Sequence, residues 1–100
     1  MDIKELQKKV YEEYKRNGFE EKFNPHGKIG DLAELGLIHT EISELQESIR
    51  DGKVDGLELA DVLIRVLNFA SRQEIDIERC LEEKIKLNEE RGYHHGRKVI

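Results

Sequence analysis

Hydrophobic residues recur along this chain at helical spacing, and polar or charged residues fill the positions between them. In residues 2–17, Leu6, Val10 and Tyr14 follow one another by about one turn, which predicts a first helix. Comparable stripes predict three further helices, over residues 31–50, 55–72 and 75–91. The residue-by-residue alternation typical of a half-buried strand is absent from the sequence. The pattern therefore predicts an all-α protein.

Glycines mark the boundaries of the predicted helices. Gly18 ends the first helix and Gly52 ends the second, while Asp31 is predicted to be the N-cap of the second. Residues 18–30 hold three glycines and the only proline, so they are predicted to form the one long loop. A basic tail, residues 92–100, follows the last helix. Short connections between helices of this length predict a four-helix antiparallel bundle.

Composition narrows the class of protein. The 100 residues suffice for one domain, residues 1–100, with a modest core. A net charge of −5 argues against nucleic-acid binding, because proteins that bind nucleic acid are usually basic. Cys80 is the only cysteine, so an internal disulfide is excluded. The sequence has neither a long apolar run nor a signal peptide, so we expect a cytoplasmic protein that does not bind membranes.

Residues 55–72 form an unusually apolar predicted helix with a narrow polar strip. Hydrophobic residues cover more than half of its circumference. The polar residues share one strip of about 80°, made by Glu58, Asp61, Arg65 and Asn68. A helix of this kind is normally buried on most sides. We therefore expect the strip to be either the helix's only solvent-facing surface or the lining of an internal site.

Two pairs of carboxylates lie on the neighbouring second and third predicted helices. Glu41 and Glu44 share one helix face, and so do Glu58 and Asp61, because residues three apart are about 5–6 Å apart at Cβ. If the four converge, they need a cation or protonation. Oxygen ligands without His or Cys favour Mg²⁺, with Mn²⁺ as a substitute. The alternative is that these are ordinary surface acids, since 22 acidic residues produce such spacings by chance.

The last predicted helix changes character along its length. Its inward stripe begins with Ile77 and Leu81, and helical spacing continues it to three polar residues, Lys84, Asn88 and Arg91. Cations opposite a carboxylate-bound Mg²⁺ would clamp a polyphosphate between them. The alternative is a frayed helix end, where the helix dipole favours basic residues in any case.

The predicted long loop carries two of the three phenylalanines of the chain, Phe19 and Phe23. An aromatic ring in such a loop has two interpretations. It can stack on a nucleobase, or it can cover the hydrophobic core, and the second role is the more common one.

Two segments of the sequence resemble the MazG-like all-α nucleotide pyrophosphohydrolases. That superfamily is marked by E-x-x-E followed by E-x-x-D, matched here by Glu41, Glu44, Glu58 and Asp61. The C-terminal part resembles the K-x-x-x-N-x-x-R-x-x-x-H-G-x-K pattern of the compact branch, matched by Lys84, Asn88, Arg91, His95, Gly96 and Lys98. The resemblance covers roughly residues 19–98 of the chain.

The resemblance implies a helical bundle completed by a homodimer, often a dimer of dimers, as homotetramer. It implies Mg²⁺-dependent hydrolysis of a nucleoside triphosphate to the monophosphate and pyrophosphate, with clearance of non-canonical nucleotides as a family expectation. The four acids would hold the metal, and either Glu41 or Glu44, with Glu44 slightly favoured, would be the general base. The phosphates would be contacted by Lys84, Asn88, Arg91, His95 and Lys98.

Two alternatives remain open at the level of sequence. The first is a non-catalytic helical oligomerisation module, in which the acidic side chains are simply solvated. The second, within the same superfamily, is a phosphoribosyl-ATP pyrophosphohydrolase. The E-L-A-D and H-G-x-K contexts match the MazG-like branch better.

Overall fold

The computed structural model of this chain describes residues 1–22 and 27–92, in which every regular element is a helix. The helices are α1 (Ile3–Arg16), α2 (Phe19–Lys22), α3 (Lys28–Arg50), α4 (Gly56–Arg72) and α5 (Ile77–Arg91). Since α2 is a single turn, the prediction of an all-α fold with four long helices is confirmed for this part of the chain. His95 and Lys98 lie outside the described residues.

Aspartate caps and glycine turns set the helix boundaries. Asp2, Asp55 and Asp76 each accept a hydrogen bond from a backbone N–H in the following first turn, at 2.8, 2.9 and 3.2 Å. Such a cap stabilises a helix by about 1 kcal/mol. Gly18 and Gly52 adopt positive φ directly after the C-caps of α1 and α3, which favours glycine over other residues. Both predicted breaks are therefore confirmed.

The long loop predicted over residues 18–30 is partly helical in the structure. Four of its residues form α2, and α3 begins at Lys28. The prediction of Asp31 as an N-cap is wrong for this reason, because Asp31 lies within the first turn of α3. Its carboxylate instead accepts a hydrogen bond from Nε2 of Gln73, at 2.8 Å. Asp31 thus ties the start of α3 to the end of α4.

Helices α3 and α4 lie antiparallel, and polar pairs cross the seam between them at intervals of two turns. We call these pairs the polar ladder, and its three rungs are Glu34–Arg72, Glu41–Arg65 and Ser48–Glu58. Each step of two turns forward along α3 is matched by two turns backward along α4. The rungs therefore follow one line on each helix, and polar contacts define the register of the pair.

Helix α1 packs against α4 and touches the start of α5. Gln7, which is buried, donates from Nε2 to Oγ of Ser71 at 3.1 Å and to the carbonyl oxygen of Ile75 at 2.9 Å. Its Oε1 accepts from the backbone N–H of Ile77 at 3.4 Å. One amide thus fixes α1 to the turn between α4 and α5. Beyond its first turn, α5 lies against solvent, and none of its residues is buried.

Much of the hydrophobic surface of this single chain faces outward. Among the described residues the buried hydrophobic side chains are Tyr14, Ile38, Leu67 and Ala70. By contrast, Leu57 is 79% exposed, Leu63 59% and Ile85 55%. The expectations that α4 is buried on most sides and that α5 carries an inward stripe are therefore wrong for one chain. The polar ladder occupies the side of α4 that packs, so its apolar side is left without a partner helix.

Candidate functional site

A cavity of about 340 Å³ opens where α1, α2, α3 and α4 meet. Its lining draws on each of these helices and includes Tyr14, Phe19, Glu41, Asp61, Arg65 and Asn68. Three members of the polar strip of α4, Asp61, Arg65 and Asn68, therefore line this cavity, and Glu58 does not. The volume lies at the lower end of the range of about 300–1,000 Å³ for small-molecule sites.

Phe19 forms an aromatic wall of this cavity. Its ring stacks on Tyr14 with centroids 5.6 Å apart, and Tyr14 stacks on Tyr11 at 5.5 Å. The hydroxyl of Tyr11 donates a hydrogen bond to Glu20, so the single turn of α2 is held against α1 from both sides. The guanidinium carbon of Arg65 lies 5.7 Å from the Phe19 centroid, within cation–π range.

Arg65 also neutralises one of the predicted metal ligands. Its Nε lies 3.5 Å from Oε1 of Glu41, and the two side chains are only 28% and 17% exposed. Attraction between partly buried charges is stronger than between charges at an open surface, because the effective dielectric constant is lower. A divalent cation binding at Glu41 would therefore compete with Arg65 for the same carboxylate.

A buried ion pair next to the cavity fixes its aromatic wall. Glu34 is 2% exposed and accepts hydrogen bonds from Nη1 of Arg72, at 3.0 Å, and from the hydroxyl of Tyr14. The Arg72 side chain is fully buried. Burial, followed by the hydrogen bond to Glu34, raises the pKa of Tyr14 above its usual range. The Tyr14 ring, on which Phe19 stacks, is thus held by an internal hydrogen bond.

Asn68 lines the cavity and also carries a buried acceptor without a partner. The residue is 6% exposed, and its Oδ1 has no hydrogen-bond partner in the part of the chain that the structure describes. A buried acceptor without a partner costs about 1–3 kcal/mol, and folded proteins contain few of them. The sequence placed Asn68 in the polar strip but gave it no role. An isolated amide in an apolar helix was the available signal.

The four predicted metal ligands occupy successive levels of the α3–α4 seam. Glu41 is held in its ion pair, and Glu58 accepts a hydrogen bond from Ser48. The antiparallel register sets Glu44 and Asp61 at the level between those two rungs, where both residues are exposed. Two of the four, Glu41 and Asp61, line the cavity. Within residues 1–22 and 27–92, however, no three His, Cys, Asp or Glu side chains are grouped to hold a metal ion.

The chemistry of this donor set nevertheless fits a hard divalent cation. All four residues are carboxylates on facing helices, within about two turns of one another. Such oxygens are the ligands that Mg²⁺ prefers. In the structure the oxygens of Glu41 and Glu58 are taken up by Arg65 and Ser48. Side-chain rotation away from these partners would free them for a metal.

The predicted phosphate contacts that fall in the described region are on α5. Lys84, Asn88 and Arg91 are all exposed there, and their spacing sets them on one helix face. Among the described residues that line the cavity, none comes from α5. Helix α5 has its main contacts with α1. Within a single chain, the acids of the seam and the cations of α5 therefore lie on separate surfaces.

A second cavity, of about 440 Å³, lies between α1 and the turn that joins α4 to α5. Three of its charged residues are engaged locally. Lys4 pairs with Asp76 at 3.5 Å, and Nζ of Lys15 lies 5.1 Å from the centroid of the Tyr11 ring. The hydrogen bond from the backbone N–H of Arg79 lowers the pKa of Asp76. These contacts are consistent with a structural role, and they single out the first cavity as the candidate site.

No protein-family model, curated protein or solved structure matches this chain. None of the helices within the described ranges has the length and hydrophobicity needed to span a membrane. Function is therefore inferred from the chemistry of the cavity and of the α3–α4 seam.

Proposed function

We propose that this chain is a Mg²⁺-dependent nucleoside triphosphate pyrophosphohydrolase, which converts a nucleoside triphosphate and water to the monophosphate and pyrophosphate. The observation that supports it most is a single cavity that Glu41 and Asp61, one residue from each carboxylate pair, share with the ring of Phe19. A bound nucleotide requires carboxylates that hold its metal ion and, beside them, an aromatic surface on which its nucleobase stacks. The E-x-x-E and E-x-x-D motifs that resemble MazG-like enzymes support the same proposal.

In this proposal the metal is held by the four carboxylates of the seam, Glu41, Glu44, Glu58 and Asp61. A bound Mg²⁺ supplies charge neutralisation for the triphosphate and lowers the pKa of a coordinated water. If Glu41 turned to hold the metal, Arg65 would lose this carboxylate partner and remain within the cavity. Its guanidinium would then interact with the nucleotide through charge or stacking.

Glu44 is the favoured general base of the proposed reaction. In the described part of the chain its carboxylate has neither an ion pair nor a hydrogen bond, whereas that of Glu41 is engaged with Arg65. As a carboxylate that the metal does not fully occupy, Glu44 would take a proton from the attacking water. The water oxygen bonds to the α-phosphorus while the bond to the bridging oxygen breaks, and pyrophosphate leaves with the electron pair.

A second copy of the chain would complete this site. Exposed apolar residues recur at helical spacing on α4 and α5, at Leu59, Leu63, Val66, Leu81 and Ile85. A two-fold dimer uses the same patch of both copies, and a standard interface covers about 800 Å² on each. A homodimer, or a tetramer built from it, would cover these side chains. It would also bring Lys84, Asn88 and Arg91 of one copy toward the seam of the other.

Product analysis with isotopically labelled water tests the reaction. The protein is incubated with Mg²⁺, ¹⁸O-water and a panel of canonical and modified triphosphates that includes phosphoribosyl-ATP. We expect monophosphate and pyrophosphate, with the label in the monophosphate, because attack at the α-phosphorus leaves the new oxygen there. Label in the pyrophosphate would mean attack at the β-phosphorus. Diphosphate with orthophosphate would contradict the proposed reaction altogether.

One other function is favoured by a specific observation. The outward apolar side chains and the separation of acids from cations suit a non-catalytic oligomerisation module equally well. Such a module has no need of a metal. Absence of turnover across the panel, together with an unchanged melting temperature on adding Mg²⁺ or Mn²⁺, would favour it over the enzyme. A rise in melting temperature that needs Asp61 would contradict it, since a ligand that binds only the folded state stabilises it.

A further inference from the structure

Arg65 already contacts both parts of the cavity that a metal-bound nucleotide would need. Its Nε lies 3.5 Å from Oε1 of Glu41, which is one of the proposed metal ligands. Its guanidinium carbon lies over the ring of Phe19, 5.7 Å from the centroid, and this is the ring on which the nucleobase is proposed to stack. One planar cation thus occupies the carboxylate and the ring at the same time.

The ion pair of Arg65 with Glu41 is shielded enough to compete with a metal ion. The two side chains are 28% and 17% exposed. Attraction between charges at such a depth exceeds that at an open surface, because less water screens it. Mg²⁺ in turn loses its bound water reluctantly. A metal ion that arrives alone therefore has to give up water and also break the pair.

Metal binding without a nucleotide would leave Arg65 beside a second cation. The helical spacing sets Asp61 one turn before Arg65 on α4, and Glu41 faces Arg65 across the seam. Both of these carboxylates belong to the proposed metal site. The third carboxylate of the cavity, Glu13, is an exposed residue of α1. With the metal on the first two, the largely buried guanidinium faces a divalent cation, and like charges at this depth repel each other.

A phosphate group relieves this repulsion. It is an anion with several acceptor oxygens, and a guanidinium binds two of them at once. Carboxylates, metal, phosphate and guanidinium then alternate in the sign of their charge. Movement of Arg65 toward a phosphate also takes its guanidinium away from Phe19, so that the ring becomes available to the base.

We propose that Arg65 makes the binding of metal and nucleotide interdependent. In the empty cavity its guanidinium occupies Glu41 and lies over Phe19, and it moves to a phosphate of the nucleotide when the metal takes Glu41. The site therefore holds a metal ion weakly until a nucleotide is present. The coupling is reciprocal, because each ligand changes the affinity for the other by the same factor. The inference rests on the proposed function, and Arg65 is assigned a positioning role.

Metal binding in the absence of nucleotide tests this inference apart from catalysis. Calorimetry with Mg²⁺ and electron paramagnetic resonance with Mn²⁺ give the dissociation constant of the metal for the full-length protein and for Arg65→Met. We expect the variant to bind metal at least about tenfold more tightly, because Glu41 is no longer occupied. A merely structural role of Arg65 predicts a weaker affinity instead, since a disturbed seam would separate the metal ligands.

Arg79→Met is the matched control for the loss of a positive charge. Arg79 is exposed on α5, a helix that contributes no described residue to the cavity lining. Its replacement should change the metal affinity by less than about twofold, because solvent and salt screen a distant exposed charge. An equal gain in both variants would overturn the inference, since net charge alone would then explain it.

A measurement on the unmodified protein keeps the test decisive if Arg65→Met does not fold. NMR follows the side-chain Nε–H signal of Arg65 while Mg²⁺ and α,β-methylene triphosphates of adenosine, cytidine, guanosine and uridine are added singly and together. We expect the signal to move most when metal and analogue are both present. An equally large shift with Mg²⁺ alone would overturn the interdependence.

The outcomes separate this inference from the proposed function. Equal metal affinities of Arg65→Met and the unmodified protein would overturn the inference and leave the proposed reaction standing. Tighter metal binding by the variant, without hydrolysis of any triphosphate by the unmodified protein, would support the inference and contradict the reaction. Absence of metal binding in both proteins, with and without the analogues, would contradict both.

Discussion

The seam between α3 and α4 buries charged side chains, whereas the outward side of α4 exposes apolar ones. This reverses the usual distribution, in which apolar residues are buried and charged residues are exposed. In the seam, Arg72 is fully buried against Glu34, which is 2% exposed. On the outward side, Leu59 and Leu63 are 47% and 59% exposed. Buried ion pairs contribute little net stability, because desolvation offsets most of their attraction, whereas apolar burial is the main driving force of association. The seam therefore determines how the helices align, and the outward side is the surface that we propose for association with a second copy.

The largest expected effect comes from breaking the most buried rung of the polar ladder. Arg72→Met leaves the carboxylate of Glu34 in a site with 2% exposure and without its guanidinium. Stranding one buried charge costs about 3–5 kcal/mol of unfolding free energy. Urea denaturation followed by circular dichroism measures this loss. A loss below about 1 kcal/mol would mean that the seam is not the rigid part of the molecule.

The double variant Glu34→Gln/Arg72→Met is the control for that experiment. It removes both charges and keeps an oxygen that accepts from the Tyr14 hydroxyl. We expect it to recover more than half of the lost stability, since no unpaired charge remains. Equal losses in the single and double variants would show that the bulk of Arg72, rather than its charge, supports the seam.

A second test separates the function of the seam from its stability. Asp61 is exposed at the seam and lines the cavity. Asp61→Asn should lower Mg²⁺-dependent turnover by more than about a hundredfold, beyond the 10–100-fold typical of residues around a metal's direct ligands. Helicity should not change. The control is Glu47→Gln, an equally conservative change at an exposed acid on α3. This variant should retain full activity. Full activity of Asp61→Asn would remove the metal assignment.

The outward side is tested by introducing a charge there. Leu63→Asp should raise the dissociation constant of the proposed homodimer at least about tenfold, because the interface would bury an unpaired carboxylate. Sedimentation velocity over a range of protein concentrations measures this. Ile29→Asp, at a residue that is 86% exposed on α3, is the matched control and should leave assembly unchanged. A protein that remains monomeric at all concentrations before mutation would contradict the role given to this side.

The smallest expected effect concerns the tyrosines that support the cavity. Burial, followed by the hydrogen bond to Glu20, raises the pKa of Tyr11 to about 12. In the unfolded chain the Tyr11 hydroxyl ionises near pH 10, at a lower pH than in the folded protein. Stability therefore falls as pH rises from about 10 to 12. After allowance for solvent screening, Tyr11 contributes about 1 kcal/mol to this loss of unfolding free energy.

Tyr11→Phe should flatten the alkaline loss of stability by that amount, measured as the difference in unfolding free energy between the two proteins at pH 9 and at pH 12. Deprotonation of lysines is common to both proteins and cancels in this difference. A difference that is the same at both pH values would show that the hydroxyl of Tyr11 titrates normally, and that its contact with Glu20 does not hold α2 in place.

Most helix boundaries were predictable from the sequence, although the start of α3 was not, and neither was burial. Glycines and aspartates mark helix ends through local backbone chemistry, which acts within a few residues. The apolar stripe of α3 contains Leu35, Ile42 and Ile49, yet the residues that meet α4 are each one position earlier, Glu34, Glu41 and Ser48. Periodicity shows which residues share a face. It does not show which face meets a partner, because that depends on residues distant in sequence or on another chain.

The candidate site was likewise predictable only in part. Spacing predicted that the carboxylate pairs would lie on neighbouring antiparallel helices, and the polar strip of α4 was visible as a pattern. The ion pair between Glu41 and Arg65 was not foreseen, because nothing in the sequence fixes the register of α3 against α4. The unsatisfied oxygen of Asn68 was equally out of reach, since it depends on the burial of a single atom.

The polar ladder also limits how the chain tolerates insertions and deletions. If α4 slides two turns in one direction, Glu41 comes to face Glu58, and like charges oppose the new alignment. If it slides two turns in the other direction, Glu41 faces Arg72 and Glu34 loses its partner. A change of length in the connection at residues 51–55 therefore has to be absorbed by that connection itself. The ladder therefore opposes any shifted alignment of the two helices, and a change of length is tolerated only within the turn.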